Sequence, residues 1–184
     1  MIDHKKYLAA IDCPSAWTHE AMFYKNYLAK EIIGEVFTIV EIGVHFGYSL
    51  FVMAHDFPEA SLFGVDNFTM HDSDRAREHL NAHLPNFNNI RLLEGNSVEL
   101  AKQWGRPENY LDIDVLHIDG GHTYDEAKAD FDSWSKYVRQ GGVVMFHDVR
   151  VFRDKGPGEL FDQLVGKKHI EGNLGIWYKE GDLL

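Results

Sequence analysis

One cysteine, Cys13, stands in a chain of 184 residues. A lone cysteine excludes an intrachain disulfide framework and fits a reducing compartment, so the expected location is cytoplasmic. Basic side chains are the scarcer sign, 18 Lys and Arg against 29 Asp and Glu, for a formal net charge of −11. That balance repels phosphate backbones and offers no basic stripe, which argues against nucleic acid as a partner. No apolar run approaches the roughly 18 residues a membrane span needs. The start Met1-Ile2-Asp3-His4-Lys5-Lys6 leads into no signal-peptide core. A membrane partner is therefore not expected. Internal repeats, low-complexity tracts and linkers rich in Pro, Gly or Ser are also missing, so residues 1–184 read as a single domain. With 45% hydrophobic and 26% charged residues it has the composition of an ordinary globular protein with a sizeable core.

Three regions follow from the pattern. Residues 1–35 read as helical, with Ala21, Phe23, Tyr24, Tyr27, Leu28 and Ile32 on a broad apolar face. Residues 36–150 alternate short apolar strands with helices. Strands are expected at Phe37–Ile42, Ser61–Val65, Asn89–Leu93, Ile113–Ile118 and Val143–Phe146, and helices at Tyr48–Asp56, Ser73–His83, Ser97–Trp104 and Thr123–Val138. Ala127, Phe131, Trp134 and Val138 fall on one face of the last helix, which Gly141-Gly142 is expected to end. Residues 151–184 suggest a short helix near Gly158–Val165 and a strand pair at Lys168–Glu171 and Gly175–Lys179. Strands and helices alternating in this way imply a parallel sheet covered on both faces. The expected fold is α/β, doubly wound and Rossmann-like, with about seven strands and a C-terminal antiparallel strand.

The stretch Val115-Leu116-His117-Ile118-Asp119-Gly120-Gly121-His122-Thr123-Tyr124 carries the most information. It reads as a buried strand that runs out into Asp-Gly-Gly-His and then a helix capped by Thr123 with Glu126. In open parallel sheets ligands bind beyond the carboxyl ends of the strands. An acid and a histidine three residues apart at such an end are placed for chemistry. The first strand likewise runs into Glu41-Ile42-Gly43-Val44-His45-Phe46-Gly47-Tyr48-Ser49, and Asp66 follows Gly43 by 23 residues at the tip of the second. A glycine turn with a carboxylate about 20 residues on describes a nucleoside site, the acid accepting the ribose hydroxyls. The dinucleotide fingerprint wants a glycine where His45 stands, and Glu41 beside the turn would repel a phosphate. A nucleoside with a cationic amino-acid end, as in S-adenosylmethionine, suits the turn better.

These residues resemble the class I S-adenosylmethionine-dependent methyltransferases, most closely the macrocin O-methyltransferase-like branch of metal-assisted sugar O-methyltransferases. The resemblance covers roughly residues 36–150. It rests on Glu41-Ile42-Gly43 with Gly47 and Ser49, Gly64-Val65-Asp66, Leu93-Glu94-Gly95-Asn96-Ser97, and the block from Asp114 to Asp148. It implies that Glu41, Gly43, Gly47 and Ser49 line the methionine end of the cofactor and that Asp66 holds the ribose. Asn96 and Ser97 would lie beside the adenine, a helix cap at Ser97 being the alternative. It further implies that acids matching Asp119, His147 and Asp148 hold a divalent cation, Mg²⁺ in the branch, with His122 as the proposed base.

The chemistry asks for such parts. Methyl transfer from a sulfonium needs alignment, and a hydroxyl acceptor also needs a general base, a metal that lowers its pKa, or both. Asp119 ends the fourth strand, His147-Asp148 end the fifth, and His122 is free to reach the acceptor. His147 departs from the branch, since imidazole shifts preference from Mg²⁺ toward Mn²⁺, Fe²⁺ or Zn²⁺. His147 turned away would leave Asp119 and Asp148 an incomplete site. Elsewhere the plainer readings are preferred. His117 is a packed core histidine, His71, His79 and His83 belong to a solvated face, Asp125–Asp132 is the outer face of its helix, and Trp104, Trp134 and Trp177 are core. The expected activity is O-methylation of a hydroxylated small molecule or sugar. The chain is short for the branch, which leaves room for a homo-oligomer whose second subunit supplies part of the site wall. A non-catalytic cofactor-binding scaffold has no need of the Asp119, His122, Asp148 set, and a nicotinamide oxidoreductase is disfavoured by His45.

Overall fold

The computed structural model describes residues 38–104, 106 and 111–180. The helical segment expected over residues 1–35 lies outside the described residues, as does Phe37. Seven strands form one sheet: β1 (Thr38–Ile42), β2 (Ser61–Asp66), β3 (Ile90–Glu94), β4 (Ile113–Ile118), β5 (Val138–Phe146), β6 (Lys168–Glu171) and β7 (Leu174–Tyr178). Their order is β3-β2-β1-β4-β5-β7-β6. The first five run parallel, and β7 runs antiparallel to β5 and β6. Five helices join them: α1 (Tyr48–Asp56), α2 (Ser73–His83), α3 (Ser97–Trp104), α4 (Tyr124–Trp134) and α5 (Pro157–Gln163). The doubly wound, Rossmann-like α/β arrangement is the one expected. No helix among the described residues is long and apolar enough to cross a membrane.

Alternation along the strands sets two cores. Ile39, Val115, Val143 and Met145 meet Leu50, Phe51 and Met53 of α1 and Leu80 of α2. Val40, Leu116, Val144 and Phe146 meet Trp104, Ala127, Trp134 and Phe161 from α3, α4 and α5. Full burial of a large apolar side chain stabilises by about 1.5–3 kcal/mol, so the two faces together hold the sheet edges to the helices. β1, at the centre, is buried at all five residues.

Most boundaries fall within about two residues of the sequence reading, and the largest difference lies between α4 and β5. α4 stops at Trp134, a 3₁₀ turn covers Ser135–Tyr137, and Val138 already belongs to β5. Gly141-Gly142 therefore do not end the helix. They sit in an irregularity where Ile113 pairs with Val138 but Val115 pairs with Val143. The extra residues bulge outward, Gly141 at φ 75 making the bend that a side chain would resist. Val138 stays buried, as its place in the apolar series requires, but against β4 rather than on the helix.

Candidate active site

The carboxyl ends of β1 to β5 make one rim. At the end of β1 the chain turns through Gly43, whose φ is 89 and whose N–H donates to the Val65 carbonyl at 2.9 Å. A Cβ at Gly43 would collide with the Asp119 carbonyl, so the turns after β1 and β4 are packed back to back. The Asp119 N–H in turn donates to the Ile42 carbonyl at 2.8 Å. Gly47 caps α1 in the left-handed region, at φ 79.

Asp66 ends β2 with both carboxylate oxygens oriented by the backbone. Oδ2 accepts from the N–H of His45 at 2.8 Å and Oδ1 from that of Phe68 at 2.7 Å. A carboxylate has about four acceptor positions, so about two remain for hydroxyl groups. His45, at φ 48, also brings its Nε2 within 2.9 Å of Asp72 Oδ1, and that contact holds the Asp72 carboxyl below its usual range. Neither Asp72 nor Phe68 carried a signal in the sequence.

Glu41 is fully buried. Its Oε1 accepts from the Ser49 hydroxyl and lies 3.0 Å from His117 Nδ1, while Oε2 is buried without a hydrogen-bond partner among the described residues. His117 is the core histidine expected, and β1–β4 pairing sets it directly opposite Glu41. A buried carboxylate oxygen without a donor marks a place where a cation or donor is wanted.

Beyond β3, Asn96 rather than Ser97 caps α3, its Oδ1 accepting from the Glu99 N–H at 3.1 Å. The Ser97 hydroxyl donates instead to Asp130, and Trp134 Nε1 donates to the Ser97 carbonyl at 3.0 Å. Asp130 is only 6% exposed, which corrects the reading of Asp125–Asp132 as an outer face. Burial pushes its carboxyl up to about 6, against the opposing bond from Ser97. Its spacing, three after Ala127 and four before Trp134, was the signal available. His79 and His83 need the same correction. They are half-buried against Phe51, with His79 Nδ1 2.8 Å from the Phe46 carbonyl, because α2 lays this face on α1.

The acids and imidazoles of β4 and β5 do come together. His147 Nδ1 is 3.2 Å from Asp119 Oδ1 and 3.3 Å from Asp148 Oδ1. Asp148, at φ 58, turns Oδ2 toward His122 Nε2 at 3.6 Å, just outside hydrogen-bond range. The neighbouring His147 holds the Asp148 carboxyl below its ordinary value, with lesser help from His122 and Asn173. Asn173, from the β6–β7 turn, donates to Asp148 Oδ1 and was not foreseen. His122 is half exposed, stacks on Phe152 at 4.6 Å, and precedes the capping box of Thr123 and Glu126. Among the described residues, no three His, Cys, Asp or Glu side chains are arranged to enclose a metal ion. Here the two acids face a ring nitrogen instead.

Residues 40–149 match the family described as a methyltransferase domain. An uncharacterised protein of Acanthamoeba polyphaga mimivirus is 30% identical over 134 residues, 68% of this chain and 58% of that protein. An uncharacterised protein of Sinorhizobium fredii is 30% identical over 153 residues, 78% of this chain and 16% of that protein. The chain thus spans less than two thirds of either relative. Among solved structures, a candidate caffeoyl-CoA O-methyltransferase from Staphylococcus aureus aligns at TM-score 0.69 and 17% identity, covering 95% of this chain and 90% of that one. The O-methyltransferase TomG from Streptomyces achromogenes, solved with S-adenosylmethionine, aligns at 0.66 and 16%, covering 95% and 86%. The methyltransferase MycE, solved with Mg, S-adenosylhomocysteine and mycinamycin VI, aligns at 0.64 and 17%, covering 97% and 55%. At these identities the structural likeness carries the fold.

Proposed function

Because the chain belongs to this methyltransferase-domain family, we propose that it is an enzyme moving the methyl group of S-adenosylmethionine to a hydroxyl of a small molecule or sugar. The observation that carries the reading is the contact between two sites at one rim. Asp119 shares its backbone with the glycine turn after β1 and its carboxylate with the His147, Asp148, His122 cluster.

The residues fit the cofactor. Asp66, already oriented by two N–H groups, has capacity for two ribose hydroxyls. The unpartnered Glu41 Oε2 offers an anion to the ammonium of the methionine end, with Ser49 and His117 holding the other oxygen. Asn96 and Ser97, just past β3, would lie beside the adenine edge, and Gly43 and Gly47 in the turn after β1 would line the methionine end.

In the reaction the acceptor oxygen forms a bond to the methyl carbon as the sulfur–carbon bond breaks. His122 takes the hydroxyl proton on a ring nitrogen, and the imidazolium is stabilised by Asp148, which its neighbours keep ionised. Stacking on Phe152 orients the ring toward the rim. TomG and MycE, of the same fold, were each solved with the cofactor or its product. A second reading adds a divalent cation, favoured by two carboxylates that each lie within 3.3 Å of the His147 imidazole. Asp119, Asp148 and His147 would hold it after a turn of the ring, and it would lower the hydroxyl pKa.

Calorimetric titration with S-adenosylmethionine is the first test, and absence of binding sinks the reading. His122→Ala should keep cofactor affinity and lose about 10²–10⁴ in turnover, the usual span for a general base. A variant that loses both, or neither, has no base at His122, and a parent that binds the cofactor but methylates no hydroxyl acceptor is left to the non-catalytic scaffold.

A further inference from the structure

Past Asp148 the chain leaves the acid–histidine cluster and lines a separate concavity of about 270 Å³. Val149, Phe161 and Ile170 give it an apolar floor, and Arg150, Arg153 and Asp162 stand at its mouth. Val149 and Phe161 are each 2% exposed and belong to the core, while both arginines are exposed. Arg153 Nε is 3.4 Å from Asp162 Oδ2, a loose pair. Among the described residues no acid pairs with the Arg150 guanidinium. The mouth therefore carries two guanidinium groups and one carboxylate, a local cationic balance on a chain whose net charge is −11. The volume is close to the lower end for small-molecule pockets, about 300 Å³.

Position links this concavity to the chemistry. Asn173 accepts from the Arg150 N–H at 3.1 Å through Oδ1 and donates through Nδ2 to Asp148. The Val149 N–H donates to the Asn173 carbonyl at 3.2 Å. One asparagine thus fixes the acid beside His122 and the backbone that carries the free guanidinium. The Cα atoms of Asp148 and Arg150 are at most about 7 Å apart, so the mouth of the concavity begins on the same stretch of chain that ends in the acid–histidine cluster.

We propose that this concavity receives the anionic end of the acceptor, a carboxylate or phosphate monoester carried on an apolar body. The planar fork of Arg150 suits two oxygens of either group, and the floor of Val149, Phe161 and Ile170 takes the body. The assignment of that anion to the acceptor rests on the methyl-transfer reading. The binding itself does not.

The test titrates the full chain with 4-hydroxybenzoate, phenyl phosphate and uncharged phenol at low salt, followed by NMR shifts. Arg150→Gln is compared with the parent and with Arg75→Gln, which removes an exposed charge on α2. Either charged probe should bind the parent at least tenfold more tightly than phenol, and Arg150→Gln should weaken it by about ten- to a hundredfold. Arg75→Gln should change neither. The tighter of the two charged probes identifies carboxylate or phosphate as the group recognised. Charged probes no better than phenol, or equal losses in both variants, overturn the proposal. S-adenosylmethionine titrated into the same samples separates the two readings. Arg150→Gln should keep cofactor affinity, and a parent that binds no cofactor refutes methyl transfer while the anion result stands or falls by itself.

Discussion

Asp130→Asn should stabilise the protein at neutral pH and leave it unchanged in acid. The Asp130 carboxylate lies between α3 and α4, with Oδ1 accepting from the Ser97 hydroxyl. Its Oδ2 sits under Gly120, 3.0 Å from where a Cβ would be. Burial raises its pKa from 3.8 to about 6, Ser97 opposes the rise, and Glu126 adds to it. The folded state therefore keeps this proton to higher pH than the unfolded chain does. The stability linked to it is complete below about pH 3.8 and is lost as pH rises through about 6. A rise of roughly two units, at about 1.4 kcal/mol each, sets a ceiling of about 3 kcal/mol on the cost at neutral pH. Asparagine keeps the volume and an acceptor for Ser97 without the charge. Urea unfolding of parent and variant between pH 4 and 8 isolates the effect, because every other group titrates alike in both. The difference should be small at pH 4, grow between about pH 4 and 6, and level off above that at about 1–3 kcal/mol in favour of Asn by pH 7.5. A difference that stays flat with pH, or a parent more stable at pH 7.5, refutes the argument that this carboxylate is buried at the cost of its charge.

Three further outcomes are expected. Asp66→Ala should weaken S-adenosylmethionine binding by about 1.5–3 kcal/mol, the range for bonds to a charged group, and calorimetry showing equal affinity removes Asp66 from the cofactor site. If Asp119, Asp148 and His147 share a cation, excess chelator should abolish turnover and Mn²⁺ should restore it at least as well as Mg²⁺. Full activity in chelator leaves His122 acting without a metal. Gly43→Ala places a side chain at φ 89 against the Asp119 carbonyl. Strain and overpacking together should cost about 3 kcal/mol, lowering the melting temperature in scanning calorimetry by roughly 6–12 °C, and an unchanged melting temperature contradicts the packing of the two turns.

Much of the fold was legible because its signals are local. The limits of α1, α2, α3, β4 and β6 agree residue for residue with the apolar periodicity, and the Thr123, Glu126 capping box forms as written. The start of β5 was not legible, since a glycine pair marks a helix end and a bulge equally well. What decided between them was pairing with β4, a contact distant in sequence. The candidate site divides the same way. Gly43, Asp66, Asp119 and His122 stand at strand ends, where sequence alone places them. The partner of Glu41 depends on β1 lying beside β4, and the anchor of Asp148 comes from the β6–β7 turn. Asp130 was hidden among exposed acids, although its helical phase put it inward.

The last strand of the sheet does not lie at its edge. β7, the last in sequence of the described strands, is inserted between β5 and β6. Until residues 174–178 have left the ribosome, β5 presents the unpaired backbone of Val143–Phe146, four buried apolar residues in a row. Such an edge is a template for other chains. A polypeptide cut before Leu174 should therefore aggregate rather than fold to a smaller version of the domain. Asn173 begins that final strand's approach, which makes completion of the sheet and the anchoring of Asp148 one event in assembly.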